Sequence, residues 1–336
     1  MMDVTRHERR DRVAAAAELL SAALGERLHR DVPLAPMTTY RVGGSAALYV
    51  DVRSLDDLTA VAEVRRATGV KVLVIGRGSN MLVADAGFGG LAISIAELAD
   101  HIDLIEPEHG TDAREVVAGG GVALPVLARR TAAAAITGFE WAVGVPGSVG
   151  GAVRMNAGGH GSDMAASLLE VRVFDLDRPE AGLVTMAVGS LGLRFRASSL
   201  TEGQIVHEAR LGLRAGDRER SEAEIAEIVR WRRAHQPGGQ NCGSVFVNPV
   251  PGEIAAGGLI DGLGLRGLRI GTAHVSEKHA NFIQAAEGGS AADVRAVMEE
   301  VRRRVADATG HRLRSEVRLV GFDDADPSSF DEETAS

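Results

Sequence analysis

The chain contains very little cysteine and lysine, and it has no long apolar runs. Of its 336 residues, one is a cysteine and two are lysines. With Cys242 alone, neither an intramolecular disulfide nor a multi-cysteine metal cage can form, which fits a reducing compartment. No apolar run reaches the roughly 20 residues that a membrane-spanning helix needs. We therefore expect no metal site and no membrane anchor.

Acidic side chains outnumber basic ones, with 46 Asp and Glu against 37 Lys and Arg, so the formal net charge at pH 7 is −9. Proteins that bind nucleic acids use a basic surface to displace counterions from phosphates, so a general nucleic-acid binder is disfavoured. Charged residues crowd the first 13 positions and Glu18 interrupts the alanine-rich stretch that follows, so no secretory signal is expected. We expect a soluble cytoplasmic protein that is a monomer or a weak dimer.

Apolar periodicity and turn residues predict alternating helices and strands, a series typical of α/β or α+β folds. The residues 31–36 are predicted to form a turn. Helices are predicted at 12–28, 55–68, 124–137, 221–235 and 291–308. Strands are predicted at 46–52, 70–75, 169–175, 183–188 and 204–213, with a further β-run near Glu115.

Three glycine-rich clusters are the first candidates for ligand binding: Tyr40–Ser45, Gly76–Asn80, and Val145–Gly151 followed by Asn156–Gly158. Glycines let successive backbone amides approach an anion closely, so such loops can bind phosphate oxygens without cationic side chains. None of the clusters matches the dinucleotide fingerprint or the P-loop. A single cluster could equally be an ordinary tight turn, but three in one half of the chain favour a pyrophosphate ligand.

A second set of candidates lies downstream: Arg196, Ser244 and Glu316. Each is a weak signal by itself. An arginine on a strand is usually solvated, a Gly-Ser pair is usually a turn, and a glutamate at the start of a strand usually lies at an edge.

The motifs together resemble the MurB family, the UDP-N-acetylenolpyruvoylglucosamine reductases, from Pro36 to Gly321. The family's landmarks recur in order: Thr39-Tyr40-Arg41-Val42-Gly43-Gly44, Gly76-Arg77-Gly78-Ser79-Asn80, Gly144-Val145-Pro146-Gly147-Ser148-Val149-Gly150-Gly151, Gly243-Ser244-Val245-Phe246, Val275-Ser276-Glu277-Lys278-His279-Ala280-Asn281-Phe282 and Glu316-Val317-Arg318.

The resemblance implies an α+β fold: a two-subdomain FAD-binding half of the vanillyl-alcohol-oxidase (PCMH) type, followed by a smaller C-terminal α+β substrate domain. The gap between Arg196 and Ser244 is short and lacks tyrosine, which indicates the family type without a tyrosine-bearing substrate loop. The expected division is a helical extension at 1–30, FAD-binding subdomains at 31–108 and 109–218, a substrate-binding domain at 219–322 and a disordered acidic tail at 323–336.

The resemblance also implies the cofactors, FAD and NADPH, and a UDP-sugar substrate. The Gly76–Asn80 loop has no His or Cys to which flavin could be attached, so non-covalent FAD is expected. The expected cofactor-binding residues are Tyr40, Arg41, Gly76, Gly78, Ser79, Asn80, Pro146, Gly147, Ser148, Gly150, Gly151 and Asn156. The expected substrate-binding residues are Arg233, His235, Asn248, Lys278 and His279; Arg232 could add charge for the diphosphate.

In the reaction that the resemblance implies, NADPH reduces FAD, and hydride then passes from the flavin to the methylene carbon of the enolpyruvyl group. Arg196 and Glu316 stabilise the charge that builds at C2 and its carboxylate, and the Ser244 hydroxyl delivers the proton to C2. An ionised carboxylate would repel this charge, so Glu316 must be protonated or hydrogen-bonded, and activity is expected to fall at alkaline pH.

The chain departs from the family's usual pattern at two places. The family often has Pro-Ser-Ala before its Gly-Ser pair, where this chain has Gln240-Asn241-Cys242, and a lysine where this chain has Val247. Loss of that cation puts substrate affinity in doubt more than reaction type. Cys242 could be reactive, but a small buried side chain is the more common role.

Three other functions stay open on the sequence. A flavin oxidase of the same superfamily would reoxidise rapidly in air and show little preference for NADPH. A catalytically silent UDP-sugar binding protein would require Ser244, Arg196 or Glu316 to be misplaced. A specialised homologue in secondary metabolism would keep the same motifs.

Overall fold

The computed structural model describes residues 2–106 and 111–322, so the acidic tail predicted at 323–336 lies outside the described residues. The helices are α1 (Met2–Leu24), α2 (Leu55–Thr68), α3 (Leu124–Ala133), α4 (Val149–Arg154), α5 (Arg218–His235), α6 (Ala256–Gly262) and α7 (Ala291–Thr309).

Strands occur along the whole described chain. They are β1 (Leu28–Pro33), β2 (Ser45–Asp51), β3 (Val72–Ile75), β4 (Met81–Val83), β5 (Phe88–Ser94), β6 (Ile102–Ile105), β7 (Ala113–Gly119), β8 (Ile136–Thr137), β9 (Gly158–Gly159), β10 (Ser162–Asp163), β11 (Leu168–Asp175), β12 (Leu183–Ala187), β13 (Gln204–Ala215), β14 (Arg269–Ile270), β15 (Ala273–Val275), β16 (Ile283–Ala285) and β17 (Arg318–Val320).

The chain divides into two compact units, and each unit contains several separate segments. The first unit takes the described parts of 1–31, 47–77 and 89–232. The second unit takes 32–46, 78–88 and the described part of 233–336.

The first unit contains a four-stranded sheet with the order β1-β2-β5-β3, in which β3 and β5 are parallel. Helix α2 connects β2 to β3, and its start and end follow from local chemistry. The Ser54 hydroxyl accepts from the Asp57 amide while the Asp57 carboxylate accepts from the Ser54 amide, a capping box. Gly69 ends the helix with a φ of 67°, in the left-handed region. The predicted helix at 55–68 agrees.

The first unit also contains a larger antiparallel sheet with the order β12-β11-β13-β7-β6, and β8 pairs with β13. Strand β7 ends in the run Gly119–Gly121, and α3 follows. The core of this sheet includes Leu124, Leu127, Trp141, Val149 and Leu211, all of which are buried. The sheet therefore fixes the segment that carries the third glycine-rich cluster.

The second unit is built around α7, the three-stranded sheet β14-β15-β16 and the parallel pair β4 and β17. The Ser290 hydroxyl accepts from the amides of Ala292 and Asp293, and Gly310 ends the helix with a φ of 75°. The buried stripe of α7 is Val294, Val297, Val301 and Val305, with Met298. The predicted helix at 291–308 agrees.

The structure corrects three predicted segments. Helix α1 begins at Met2 rather than at 12 and ends at Leu24, because Gly25 adopts a φ of 60°. The predicted turn at 31–36 is wrong up to Pro33, where the chain forms the edge strand β1; an edge position tolerates a proline.

The third correction concerns the helix predicted at 124–137. It ends at Ala133, after which Ala135 adopts a φ of 55°. The next two residues form β8, in which Ile136 and Thr137 are opposite Ala215 and Arg214. The prediction was too long because the alanine-rich run keeps a helical pattern beyond Ala133, whereas Ile136 and Thr137 pair with β13.

Candidate active site

Two of the predicted cofactor-binding loops meet in the first unit. Gly76 follows β3, and Ser148 caps α4, where its hydroxyl accepts from the Gly151 amide at 3.4 Å. A Cβ atom on Gly76 would lie closer to the Ser148 Oγ than real Cβ contacts allow. A side chain at position 76 would therefore have to displace the Ser148 hydroxyl.

The turn that carries Gly147 and Ser148 is held by backbone bonds to the segment before α3. The Leu124 amide donates to the Gly147 carbonyl at 3.0 Å, and the Gly150 amide donates to the Gly120 carbonyl at 2.8 Å. These bonds fix the turn against the glycine run that follows β7. A rigid, glycine-rich turn of this kind can present backbone amides to a phosphate.

A buried donor lies just before this turn. Trp141 belongs to the short 3-10 helix Glu140–Gly144, and its indole nitrogen is buried without a hydrogen-bond partner in the described part of the chain. Buried polar groups in folded proteins nearly always have a partner, so such a donor is a mark of a missing acceptor. The donor set of the first unit therefore fits an anionic ligand with several acceptor oxygens.

Asn156, predicted to bind cofactor, and Arg196, predicted to act in catalysis, lie on two segments of the first unit that hydrogen bonds link. The Asn156 amide nitrogen donates to the Arg194 carbonyl at 3.3 Å, and its amide oxygen accepts from the Ala165 amide at 3.0 Å. Arg196 has a φ of 56°, and its guanidinium donates to the Gly158 carbonyl at 3.1 Å. A non-glycine residue in this region is uncommon, and it often marks a functional site.

A basic cluster in the same unit includes a histidine that the sequence reasoning missed. The rings of His160 and Trp231 meet edge to face with centroids 5.2 Å apart. A Cβ atom on Gly144 would lie 3.3 Å from both the His160 ring and the Arg232 side chain. Burial lowers the pKa of Arg232, and desolvation together with the Arg232 charge lowers the pKa of His160. His160 is therefore neutral at pH 7, beside a half-buried cation.

The Tyr40–Ser45 loop and the segment after Gly78 pack together in the second unit. The Thr39 amide donates to the Gly78 carbonyl at 3.2 Å. Gly78 has a φ of 57°, and a Cβ atom there would collide with the Met37 carbonyl oxygen. Arg41 is exposed, with a φ of 51° and its amide bonded to the Thr38 hydroxyl at 3.1 Å. Ser79 and Asn80 continue this segment.

The second unit fixes Ser244 and Glu316 on neighbouring segments. Ser244 is half-buried and precedes Val245, whose carbonyl accepts from the Glu316 amide at 2.8 Å. The Asn80 side chain donates to the Glu316 carbonyl at 2.7 Å. Three motifs that are distant in sequence, at 80, 244 and 316, are thus brought together by one side-chain bond and one backbone bond.

Asn281 holds the other side of this segment, although the sequence reasoning did not single it out. Its side chain accepts from the Phe246 amide at 3.0 Å and donates to the Phe246 carbonyl at 2.8 Å. Its own carbonyl accepts from the Val245 amide at 2.9 Å. The available signal was a polar residue between Ala280 and Phe282, in an otherwise apolar stretch that is buried.

The five predicted substrate-binding residues all lie within the second unit. Lys278 donates from Nζ to the Arg233 carbonyl at 2.5 Å, near exposed His235. Asn248 accepts from the Ala256 amide at the start of α6 at 3.0 Å. The His279 Nδ1 accepts from the Asn281 amide at 3.2 Å.

This bond holds His279 against the backbone of its own segment. Its ring also lies against Phe282, with centroids 4.7 Å apart. Desolvation and the Arg266 charge lower the pKa of His279, so it is neutral at pH 7. A neutral imidazole whose Nδ1 accepts carries its proton on Nε2, which can donate to a ligand.

Two kinds of feature are absent from residues 2–106 and 111–322. They contain no cluster of three or more His, Cys, Asp or Glu side chains able to hold a metal ion. None of the helices found there is long and apolar enough to span a bilayer.

Comparisons with known proteins agree over both parts of the chain. A family model described as the UDP-N-acetylenolpyruvoylglucosamine reductase C-terminal domain matches residues 235–320, and one described as an FAD binding domain matches 46–177. The UDP-N-acetylenolpyruvoylglucosamine reductase of Heliobacterium modesticaldum is 41% identical over 292 residues, which is 86% of this chain and 89% of the relative.

Two further comparisons cover nearly as much. The enzyme of the same name from Synechococcus sp. (strain RCC307) is 41% identical over 88% of this chain and 94% of its own length. The crystal structure of UDP-N-acetylenolpyruvylglucosamine reductase (MurB) from Thermus caldophilus is similar with a TM-score of 0.70 and 33% identity. This similarity covers 88% of this chain and 99% of the crystallised one.

The contact between Gly76 and Ser148 predicts the effect of a single methyl group. A Gly76→Ala substitution should displace the Ser148 side chain and lower the affinity for flavin, measured as the fraction of flavin retained on purification and the Kd for added FAD. Ser148→Gly measures separately the cost of losing the Ser148 hydroxyl, and Gly76→Ala/Ser148→Gly, which has no clash, should bind flavin no more weakly than Ser148→Gly alone. Gly189→Ala is the control, since nothing lies within 4 Å of a Cβ there. Unchanged affinity in Gly76→Ala would contradict the steric explanation.

The Asn281 bonds predict a stability loss. Asn281→Ala should leave the buried amide and carbonyl of Phe246 without partners, at about 1–3 kcal/mol for each group. The free energy of unfolding, from urea denaturation followed by far-UV circular dichroism, should therefore fall by about 2–5 kcal/mol. Glu287→Ala, at an exposed position of the same unit, should change it by less than about 0.5 kcal/mol. A loss below about 1 kcal/mol in Asn281→Ala would show that water replaces the amide.

Proposed function

The chain belongs to the UDP-N-acetylenolpyruvoylglucosamine reductase family, and we propose that it reduces UDP-N-acetylglucosamine enolpyruvate to UDP-N-acetylmuramate with electrons from NADPH. The family predicted from the ordered motifs is confirmed. The predicted fold class, an FAD-binding half with a smaller C-terminal domain, is confirmed by the two domain matches and the crystal structure of the relative. The proposed product is a precursor of peptidoglycan.

The observation that carries this proposal is the convergence of the Ser244, Glu316 and Asn80 motifs within the second unit. The Glu316 amide donates to the Val245 carbonyl, and the Asn80 side chain donates to the Glu316 carbonyl. An ordinary turn at Ser244 or an edge strand at Glu316 would need neither contact. A site with an acid and a hydroxyl held on adjacent segments suits a proton transfer next to developing charge.

FAD is the proposed resident cofactor, bound without a covalent link, and the first unit fits such a ligand. The Gly76 and Ser148 loops meet, and the unpartnered Trp141 indole lies just before the second of them. When bound, FAD supplies the hydride carrier between NADPH and the methylene carbon of the enolpyruvyl group. The residues proposed to hold it are Tyr40, Arg41, Gly76, Gly78, Ser79, Asn80, Pro146, Gly147, Ser148, Gly150, Gly151 and Asn156.

Ser244 is the proposed proton donor to C2 of the substrate. A serine hydroxyl is a weak acid, so it needs a fixed geometry toward a strongly basic carbon. The bonds at Val245 and Phe246 restrict the backbone directly after it. A hydroxyl on a restrained backbone loses little conformational freedom when it reacts, which is how positioning contributes to rate.

Arg196 and Glu316 are proposed to stabilise the negative charge that builds at C2 and its carboxylate. The Arg196 guanidinium keeps its orientation through the bond to Gly158, and its strained backbone is compensated by the surrounding loop. Glu316 acts as a hydrogen-bond donor in this proposal, so it must carry a proton when the charge develops.

The substrate is proposed to be a nucleotide sugar, whose diphosphate needs local positive charge in an acidic protein. Arg233 and Lys278 lie together, and the exposed His235 follows on the same helix. Asn248 and the Nε2 of His279 are proposed to add neutral donors. A cytoplasmic location is proposed with this function, because both the nucleotide sugar and NADPH are cytoplasmic metabolites. A monomeric or weakly dimeric state is proposed alongside it.

Product analysis under nitrogen tests the proposed reaction. Purified protein with NADPH and UDP-N-acetylglucosamine enolpyruvate should yield a product two hydrogens heavier by mass spectrometry, with one NADPH consumed per product. A flavin oxidase acting on another substrate would give no product under nitrogen and would consume oxygen in air. A silent UDP-sugar binding protein would bind the substrate without consuming NADPH. Either result would reject the proposal.

Ser244→Ala should separate the two half-reactions. Flavin reduction by NADPH needs no proton from Ser244 and should proceed at the wild-type rate. Reoxidation by the enolpyruvyl substrate should slow by about 100- to 10,000-fold, the usual contribution of general acid catalysis. Stopped-flow absorbance of the flavin measures both rates. Normal reoxidation in Ser244→Ala would exclude this residue as the donor.

Glu316→Gln should lower turnover at pH 7 by on the order of 100-fold, the usual cost of removing an oriented donor at developing charge. The wild-type rate should fall as the pH becomes alkaline, because ionised Glu316 repels that charge. The residual activity of Glu316→Gln should not show this fall, because an amide does not ionise. Glu287→Gln, at an exposed position of the same unit, should match wild type. Full turnover in Glu316→Gln would remove Glu316 from the mechanism.

A further inference from the structure

The Asn156 side chain is buried in the first unit, and both of its donors are used within the chain. The residue is 5% exposed. Its amide nitrogen donates to the Arg194 carbonyl at 3.3 Å and to the Asp163 carboxylate at 3.2 Å. Its amide oxygen accepts from the Ala165 amide at 3.0 Å. A side-chain amide has two N–H groups, so neither is left to donate to a cofactor.

The backbone at position 156 suits asparagine. Its φ is 37°, in the left-handed region, which asparagine adopts more readily than most residues with a Cβ atom. The residue follows α4, the helix that Ser148 caps, and its own amide donates to the Val153 carbonyl at 3.2 Å. The Ala157 amide donates to the Ala152 carbonyl at 2.8 Å. These bonds fix the direction in which the Asn156 side chain leaves the end of α4.

The Arg194 carbonyl that Asn156 binds belongs to a tight turn with Arg196 at its tip. The Arg194 amide donates to the Ala197 carbonyl at 3.0 Å, and the Ala197 amide donates to the Arg194 carbonyl at 3.1 Å. Phe195 and Arg196 lie between them, and Arg196 takes the left-handed φ of 56° that some tight turns need at a central position. Because one residue separates Arg194 from Arg196, a shift of the first moves the second.

The segment that carries Asn156 also holds the charged end of Arg196. The guanidinium donates to the carbonyl of Gly158, two residues after Asn156, at 3.1 Å. Gly158 is opposite Asp163 in the β9–β10 hairpin, and a Cβ atom on Gly158 would lie 2.6 Å from the Asp163 Cβ. The short segment from Asn156 to Gly158 therefore contacts both the backbone of the Arg196 turn and the guanidinium.

From these contacts we propose that the Asn156 side chain is a positioning group that sets the place of the Arg196 guanidinium. The inference rests on the proposed function, in which Arg196 stabilises the charge that builds at C2 and its carboxylate. Asn156 does not touch that charge, and it acts through the Arg194 carbonyl and the segment that leads to Gly158. Any contact of residue 156 with FAD is then made by its backbone. Stabilisation of developing charge depends on a group that is already in place, so loosening this support should slow the step that Arg196 serves.

Asn156→Gly tests the proposal in the FAD-loaded, full-length protein. Glycine adopts a φ of 37° without strain, so the variant loses the side-chain bonds and can keep the backbone conformation. Reoxidation of the NADPH-reduced flavin by saturating UDP-N-acetylglucosamine enolpyruvate should slow by about 10- to 100-fold, the usual effect of misplacing a group that acts on the substrate. Flavin reduction by NADPH and the Kd for FAD should stay within about twofold of wild type, because neither involves Arg196 in this proposal.

Two further single variants complete the comparison. Asn156→Asp keeps the acceptor for the Ala165 amide but has no N–H to donate, so reoxidation should be at least as slow as in Asn156→Gly. If Asn156→Gly does not fold, Asn156→Asp decides by the same comparison of half-reactions. Asp31→Gly is the matched control, because Asp31 is an exposed residue of the same unit with a left-handed φ of 51°, and it should match wild type.

Combination with Arg196→Gln shows whether Asn156 acts through Arg196. Arg196→Gln alone should slow reoxidation by on the order of 100-fold, because the charge is removed. Asn156→Gly/Arg196→Gln should be slower than Arg196→Gln by no more than about twofold, since the charge that Asn156 positions is already absent. A residue that only stabilises the fold would slow the Arg196→Gln protein by as much as it slows wild type.

Four results would overturn the inference. They are reoxidation at the wild-type rate in the Asn156 variants; equal slowing of both half-reactions, which indicates general damage; a weaker Kd for FAD with normal reoxidation once FAD is saturating, which assigns the side chain to cofactor binding; and independent losses in the double variant. Failure of the proposed function is a different result, because the wild-type protein itself would then not be reoxidised by the enolpyruvyl substrate.

Discussion

One buried side-chain amide, that of Asn281, holds the backbone on which the chemistry of the second unit depends. It accepts from the Phe246 amide and donates to the Phe246 carbonyl, while the backbone carbonyl of Asn281 accepts from the Val245 amide. The opposite edge of the same short segment bonds to Glu316. Leaving one of these buried backbone groups unpaired would cost about 1–3 kcal/mol. The bonds that stabilise the fold here are therefore the same ones that hold the backbone next to Ser244 and Glu316.

An acidic protein needs local sites for phosphate-bearing ligands, and in this chain 46 acidic side chains outweigh 37 basic ones. The proposed sites include glycine turns in which a single methyl group would collide, as at Gly76 against Ser148. Two cations of the first unit are held in place: the Arg232 side chain is partly buried, and the Arg196 guanidinium donates to the Gly158 carbonyl. Charge that is shielded from water acts more strongly than charge in water.

The sequence predicted local features well and spatial relations poorly. The boundaries of α2 and the cap, stripe and stop of α7 followed from chemistry within a few residues of each end. The end of α3 did not, because pairing of Ile136 with β13 depends on a strand far along the chain. Asn281 and His160 were missed for the same reason: a single polar residue shows its function only when its partners in space are known. The motif order gave the family, but no spacing indicated that the Asn80 side chain donates to the Glu316 carbonyl.

Sequential mixing without oxygen is the most direct test of the proposed reduction of the enolpyruvyl substrate by the flavin. The purified protein is first mixed with one equivalent of NADPH, and UDP-N-acetylglucosamine enolpyruvate is added once the flavin absorbance has bleached. The account predicts that the absorbance returns within the turnover time, with one product formed for each flavin reoxidised. A flavin that remains reduced after addition of the substrate, and recovers only when oxygen is admitted, would contradict it.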